Sequence, residues 1–176
     1  AWTFDQHYKA SDRIYRLLVE EEPDDAWSHI MTRPLGEKLA ASSPDVETCG
    51  SFSFRCWTEG SLSRTDVENA TKFNIEGQGI SPEILNIFEF TPVAGNFDRF
   101  KEPETLIISE TTAKKIFGMD NPIGATLLLT EQESLEETLL TVIAVFKDFP
   151  INSSIPNDYY FFCFGDTDIN EHRNAS

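Results

Sequence analysis

Glu110 and Asp148 are the carboxylates to consider first as a general acid/base pair of the kind that cleaves glycosidic bonds. Their weight is small, because 30 Asp and Glu in 176 residues guarantee chance pairs. Glu110 also has a structural reading, since a negative charge in a first helical turn complements the helix dipole. Metal chemistry has little support. His7, His29 and His172 lie far apart, and none stands in a ligand spacing such as HxxxH. Asp166-Thr167-Asp168-Ile169-Asn170 imitates the first positions of a calcium loop, but Glu171 stands where the loop needs glycine. The acidic run Glu20-Glu21-Glu22-Pro23-Asp24-Asp25 reads as a solvated loop, with a cation-binding patch as the alternative. No GxSxG elbow and no GxxxxGK[ST] phosphate loop occurs, and Gly77-Gln78-Gly79 lacks the third glycine of a dinucleotide fingerprint and reads as a turn. Cys49, Cys56 and Cys163 form no CxxC pair. The odd count excludes a complete disulfide framework and makes buried thiols the default, with one bridge still open. The residues predict no catalytic, cofactor or metal site.

The elements that would position these groups alternate between strand and helix. Phe4 to Asp12 reads as a short helix, followed by a strand in which Tyr15, Leu17 and Val19 share a face. Thr32 caps a helix through Leu35, Leu39 and Ala40, with Pro34 in its first turn and Ser42-Ser43-Pro44 as its stop. Val46 to Trp57 reads as a strand, and the charged stretch Ser63 to Lys72 as a hairpin into another strand at Phe73 to Ile75. Ser81 and Pro82 start a helix whose Ile84, Ile87 and Phe88 share a face, and Val93-Ala94-Gly95-Asn96 reads as a turn. Thr105 to Ile108 predicts a strand. Ser109 caps the helix that follows, which buries Ala113, Ile116 and Phe117 and ends at Gly118. Asn121-Pro122-Ile123-Gly124 is a turn into a strand from Ala125 to Thr130, and Thr138 to Lys147 returns as its hairpin partner across the acidic loop Glu131 to Glu137. Tyr159 to Phe164, aromatic but for Cys163, predicts a strand buried on both faces.

Composition sets the outer limits. Hydrophobic residues make up 40% and aromatics 12%, with 14 Phe, which is enough for a packed core and argues against disorder. A net charge of −16 argues against nucleic acid and against docking on an anionic membrane surface. The apolar stretch Leu139 to Phe146 is far short of the roughly 20 residues of a membrane helix. The chain opens Ala1-Trp2-Thr3-Phe4-Asp5 without Met, so the expectation is a segment taken from a longer protein.

The same motifs, taken in order, carry a more specific signal. Asp5 to Val19 resembles the segment after the first transmembrane helix of MacB/FtsX-type ABC transporter permeases, in the branch common in Bacteroidetes, which reads roughly (Y/F)DxFHxxxDRIYR. Thr32-Arg33-Pro34-Leu35-Gly36 followed by Leu39 is similar to that family's helix-and-strand motif. So are Ile87-Phe88-Glu89-Phe90 with Gly95, Ile107-Ile108-Ser109-Glu110, Ala113-Lys114-Lys115, Phe117-Gly118 and Asn121-Pro122-Ile123-Gly124. Val142 to Pro150 followed by Asn152-Ser153-Ser154 resembles its "vtgvfkDlPenShi" pattern. The match covers roughly residues 4 to 164. It departs at Ala125, where Lys or Thr is usual, and beyond Gly165, where the expectation is a truncated or diverged end that lacks an edge strand.

The resemblance implies a non-enzymatic periplasmic core domain, held between the first two transmembrane helices of a permease in the inner membrane. The fold it implies is α+β and two-lobed. Residues 1–72 and 143–176 would form a porter-like α/β lobe, and residues 73–142 an inserted smaller mixed lobe. It implies that ATP-driven motion passes from a cytoplasmic ATPase through the membrane helices of a permease dimer. The output would go to a substrate or a periplasmic adaptor, as efflux, lipoprotein transport or signalling. Trp2 would be an interfacial aromatic near the membrane. A periplasmic carbohydrate-active enzyme using a carboxylate pair and an acidic cation-binding module are the alternatives from other classes.

Overall fold

The apolar runs of this sequence become the strands of one sheet. The computed structural model describes residues 5–18, 33–131 and 137–162. A first helix, α1 (Arg33–Ser42), is followed by β1 (Phe52–Arg64), β2 (Phe73–Ile80), α2 (Glu83–Ile87), β3 (Pro92–Gly95), β4 (Thr105–Ser109), α3 (Glu110–Phe117), β5 (Thr126–Glu131), β6 (Glu137–Phe146) and β7 (Tyr159–Phe162). The sheet order is β3-β6-β4-β7-β2-β1-β5, and β5 pairs again with β6. The strands therefore close into a ring, β6-β4-β7-β2-β1-β5, with β3 beside the second half of β6. Most neighbours are antiparallel, but β2 with β7 and β4 with β6 run parallel.

Alternation of side chains gives the ring two apolar faces. Leu62, Ile75, Leu106, Ile108, Leu127, Leu140 and Tyr159, with at least one from every ring strand, form one cluster. Only the inside of a closed ring lets all its strands meet, and α3 adds Ile116 and Phe117 to that filling. The opposite face of β4, β6 and β7 carries Ile107, Phe146 and Tyr160, which are covered by Ile84, Leu85, Phe90 and Tyr8. β6 serves both faces through a bulge: Leu106 pairs with Val142 but Ile107 with Ala144, so Ile143 and Ala144 fall successively on the same cluster. β4 is buried at all its positions, as a strand covered on both faces must be.

The expected boundaries at 72/73 and 142/143 fall within this sheet. β1 and β7, β2, β4 and β5, and β6 across the second boundary all share it.

Several local expectations are corrected. Gly77-Gln78-Gly79 lies inside β2 rather than in a turn, because it pairs with β1 on one side and β7 on the other, and position 77 needs glycine because a Cβ there would overlap the Tyr159 ring. The glycine makes room for the ring across the strand. Val93-Ala94-Gly95 is strand rather than turn, paired with β6, and Gly95 takes a positive φ of 68° against the Ile143 carbonyl. Residues 5–13 form turns and a 3-10 helix, Ser11–Arg13, instead of a longer helix. Ile14 to Leu18 follows without regular structure, leaving Tyr15 83% exposed. Ser81 does not cap α2 with its side chain; its Oγ accepts the Ser51 amide at 3.0 Å and ties β1 to β2. β1 starts later than expected and runs to Arg64, and residues 46–51 lack regular structure. Thr32, Val19, Glu20 to Asp25, His29, Cys163, Asp166 to Glu171 and His172 lie outside the described residues.

Candidate functional site

α3 starts where three segments meet. Ser109 Oγ accepts the Thr112 amide at 3.1 Å, the N-cap expected from its position. The same hydroxyl donates to the Asn157 carbonyl at 2.7 Å, and the Ser109 amide donates to the Asp158 carbonyl at 3.0 Å. Asp148 accepts the Thr111 amide at 3.1 Å and the Thr111 hydroxyl at 2.5 Å. Glu110 reaches back, and its Oε2 accepts the Asp148 amide at 3.1 Å. The two carboxylates singled out as an acid/base pair are thus brought together as mutual caps. Asp148 takes up a backbone donor at the positive end of the α3 dipole, and Glu110 takes up one from the chain just past β6.

Past Asp148 the chain makes a tight excursion and returns to β7. Asn157 clamps its two ends, with Oδ1 accepting the Phe149 amide at 2.6 Å and Nδ2 donating to the Phe149 carbonyl at 2.9 Å. Ser153 Oγ accepts the Ile155 amide at 3.0 Å within the excursion. Asn157 carried no signal in the sequence, since its partners Ser109 and Phe149 come from other elements.

The amino-terminal segment docks on this excursion. The Asp5 amide donates to the Asn152 carbonyl at 2.9 Å, and Asp5 Oδ1 accepts the Ser154 amide at 2.7 Å. Tyr8 is buried, its hydroxyl 2.7 Å from Ser153 Oγ. Burial and the charges of Asp5 and Glu89 outweigh that hydrogen bond and push the Tyr8 phenol up to about 12, so it stays protonated. The Tyr8 ring meets Phe88 edge-on at 5.3 Å and Phe149 at 6.0 Å, contacts worth about 1 kcal/mol each. Lys9 donates its amide to Glu89 Oε1 at 2.9 Å. Phe90 is the hub beneath, with ring contacts to Phe146 at 5.0 Å, Phe149 at 4.9 Å and Tyr160 at 5.5 Å. His7 is exposed, with its ring tilted at 43° against that of Tyr8.

Other charged groups stand apart. Arg64 forks between Asp66 and Asp120 and lies 5.1 Å over the Phe117 ring, fixing β1 to the end of α3. Both carboxylates raise the Arg64 pKa, and Arg64 in turn lowers that of Asp66. A hollow lined by Glu76, Gly77, Gln78, Asp158 and Tyr159 has about 10 Å³ of space, room for roughly one water. Among the described residues no group of three or more His, Cys, Asp or Glu could hold a metal ion, and no helix is long and apolar enough to cross a membrane.

The motifs that met at this junction from distant parts of the sequence are those of one family. The model of the MacB-like periplasmic core domain matches residues 2–171. The chain belongs to that family. Two solved structures share the MacB-like fold. A domain of a candidate permease protein from Porphyromonas gingivalis superposes with a TM-score of 0.57 and 23% identity, over 73% of this chain and 51% of that one. The periplasmic region of MacB from Actinobacillus actinomycetemcomitans gives 0.55 and 15%, over 76% and 55%. The MacB-like domain described here therefore aligns with about half the length of either structure. No curated protein sequence matches it, and no catalytic family is indicated.

Proposed function

We propose that this MacB-like domain is a non-catalytic, periplasmic part of an ABC transporter permease in the inner membrane and passes ATP-driven motion to a substrate or a periplasmic partner. The observation that carries the reading is the docking of Asp5 and Tyr8 on residues 152–154. The segment that in such permeases leaves the first membrane helix is fastened directly to the hub of the fold. Displacement of Asp5 would load the 148–157 excursion, and through Asp148 and Asn157 the start of α3. In this reading a cytoplasmic ATPase hydrolyses the nucleotide, and the membrane helices of a permease dimer deliver the motion. A periplasmic adaptor or substrate protein receives it. The finer division, with residues 1–72 and 143–176 as a porter-like lobe and 73–142 as an inserted one, belongs to the same reading, and the closed ring is then the junction both segments share.

Glu110 and Asp148 hold backbone donors, which supports a capping role over an acid/base one. The parent reading frame tests the proposal: membrane helices are expected before Trp2 and after Ser176, and their absence would overturn it. Turnover of ATP or common glycosides by the domain above a heat-killed control would overturn it as well.

A further inference from the structure

We infer that residues 5–9 form a releasable clasp whose seating is coupled to the cap of α3 through the 148–157 excursion. The inference rests on the reading above only for its use in transport. The coupling itself is a property of this chain.

Three observations carry it. First, the clasp is narrow. It holds through the Asp5 pair with Asn152 and Ser154, the Tyr8 hydroxyl on Ser153, the Lys9 amide on Glu89 and one buried ring. Beyond it, residues 11–18 are exposed apart from a half-buried Ile14. Second, both sides of the contact hold left-handed backbone in non-glycine residues, Asp5 at φ 59° and Glu89 at φ 49°. At Glu89 that backbone closes the end of α2, where the Phe90 amide returns to the Leu85 carbonyl at 2.8 Å, so it persists on release; at Asp5 it is held by the contacts with Asn152 and Ser154. Third, the contact atoms are shared with the relay. Ser153 Oγ faces Tyr8 and also accepts the Ile155 amide, while Asn157 holds both Phe149 and Ser109. Losing the clasp removes a partner from an atom that orders the excursion, and the excursion supplies Asp148 to Thr111.

Hydrogen exchange measured by mass spectrometry on this chain tests the coupling. In Asp5→Ala/Tyr8→Phe, peptides across 149–157 and 109–113 should exchange about tenfold faster, while peptides from β1 and β5 keep their rates. Coupling is reciprocal, so Asp148→Ala should speed exchange of residues 5–9 by a similar factor. Should the double variant not fold, Tyr8→Phe alone, which keeps the ring, should show the same pattern at a smaller factor. Unchanged exchange at 109–113 in the clasp variant would reduce residues 5–9 to a local cover and overturn the inference. Uniform acceleration of all peptides would overturn it too, making the clasp ordinary core. If the exchange coupling is found but Tyr8→Phe leaves nucleotide-driven motion of the membrane protein untouched, the transport reading fails and the clasp stands.

Discussion

Glu110 and Asp148 cap each other's segments. Glu110 Oε2 accepts the Asp148 amide at 3.1 Å, while Asp148 Oδ1 accepts the amide of Thr111, the residue after Glu110, at 3.1 Å. The exchange joins β4–α3 to the end of β6 with two backbone donors satisfied on opposite sides of one junction. Carboxylates at such a junction need no substrate to account for them.

Asp148→Ala should therefore cost stability as the loss of an N-terminal cap does, about 1 kcal/mol. For a chain of this size that is a fall in Tm of about 3 °C. Asp148→Asn, which keeps an acceptor, should lose less. In a double-mutant cycle with Glu110→Gln the two losses should not add, and strict additivity in calorimetry would show that the residues act independently.

Gly77→Ala should destabilise the domain by about 1–3 kcal/mol in urea unfolding, the usual range for overpacking. The added Cβ falls 2.0 Å from the buried Tyr159 ring, and neither strand can yield without breaking the β2–β7 pairing. In a Tyr159→Leu background the same substitution should cost markedly less. Equal costs in both backgrounds would mean that the ring is not what requires the glycine.

How much of this was legible follows from where each residue finds its partner. The cap at Ser109, the end at Gly118 and the turn at Asn121 to Gly124 are set by neighbours in sequence, and at all three the structure agrees with the sequence expectation. Ile123 donates its amide to Asn121 Oδ1 at 3.1 Å, and Gly124 has φ 83°, as such a turn requires. Gly77 and Gly79 looked like a turn because the reason for Gly77, Tyr159, lies on a strand far along the chain. Val93 to Asn96 looked like a turn because a segment as short as Pro92–Gly95 gains strand character only from β6. Tyr15 and Leu17 alternate as a strand would, yet alternation creates a face and not a partner. The chain motifs at Asp5, Glu89, Asp148 and Ser153 were visible as family signatures. Their meeting in one clasp was not.

Asp158 predicts a pH dependence. Burial is the largest cause of its raised pKa and the nearby charge of Glu76 adds to it, while Lys115 works against both. The folded form thus binds the proton more tightly than the unfolded form. This contribution to stability is fully present below the unfolded value of 3.8 and is lost as pH rises through the folded value. Asp158→Asn should remove that loss. The difference in urea stability between variant and parent should grow in the variant's favour from about pH 4 upward and then level off. A difference that stays flat across this window would contradict the assignment.

The proposed function requires that nucleotide drive movement of this domain from the membrane side. Its most direct test is electron spin resonance distance measurement in the intact membrane protein, reconstituted with its ATPase. Spin labels would sit at Met119, which is 99% exposed and outside both the clasp and the 148–157 excursion. Distances between the two copies should shift on trapping with ATP and vanadate, and Asp5→Ala/Tyr8→Phe should shrink the shift while leaving ATP hydrolysis in place. Identical distance distributions with and without nucleotide would contradict it.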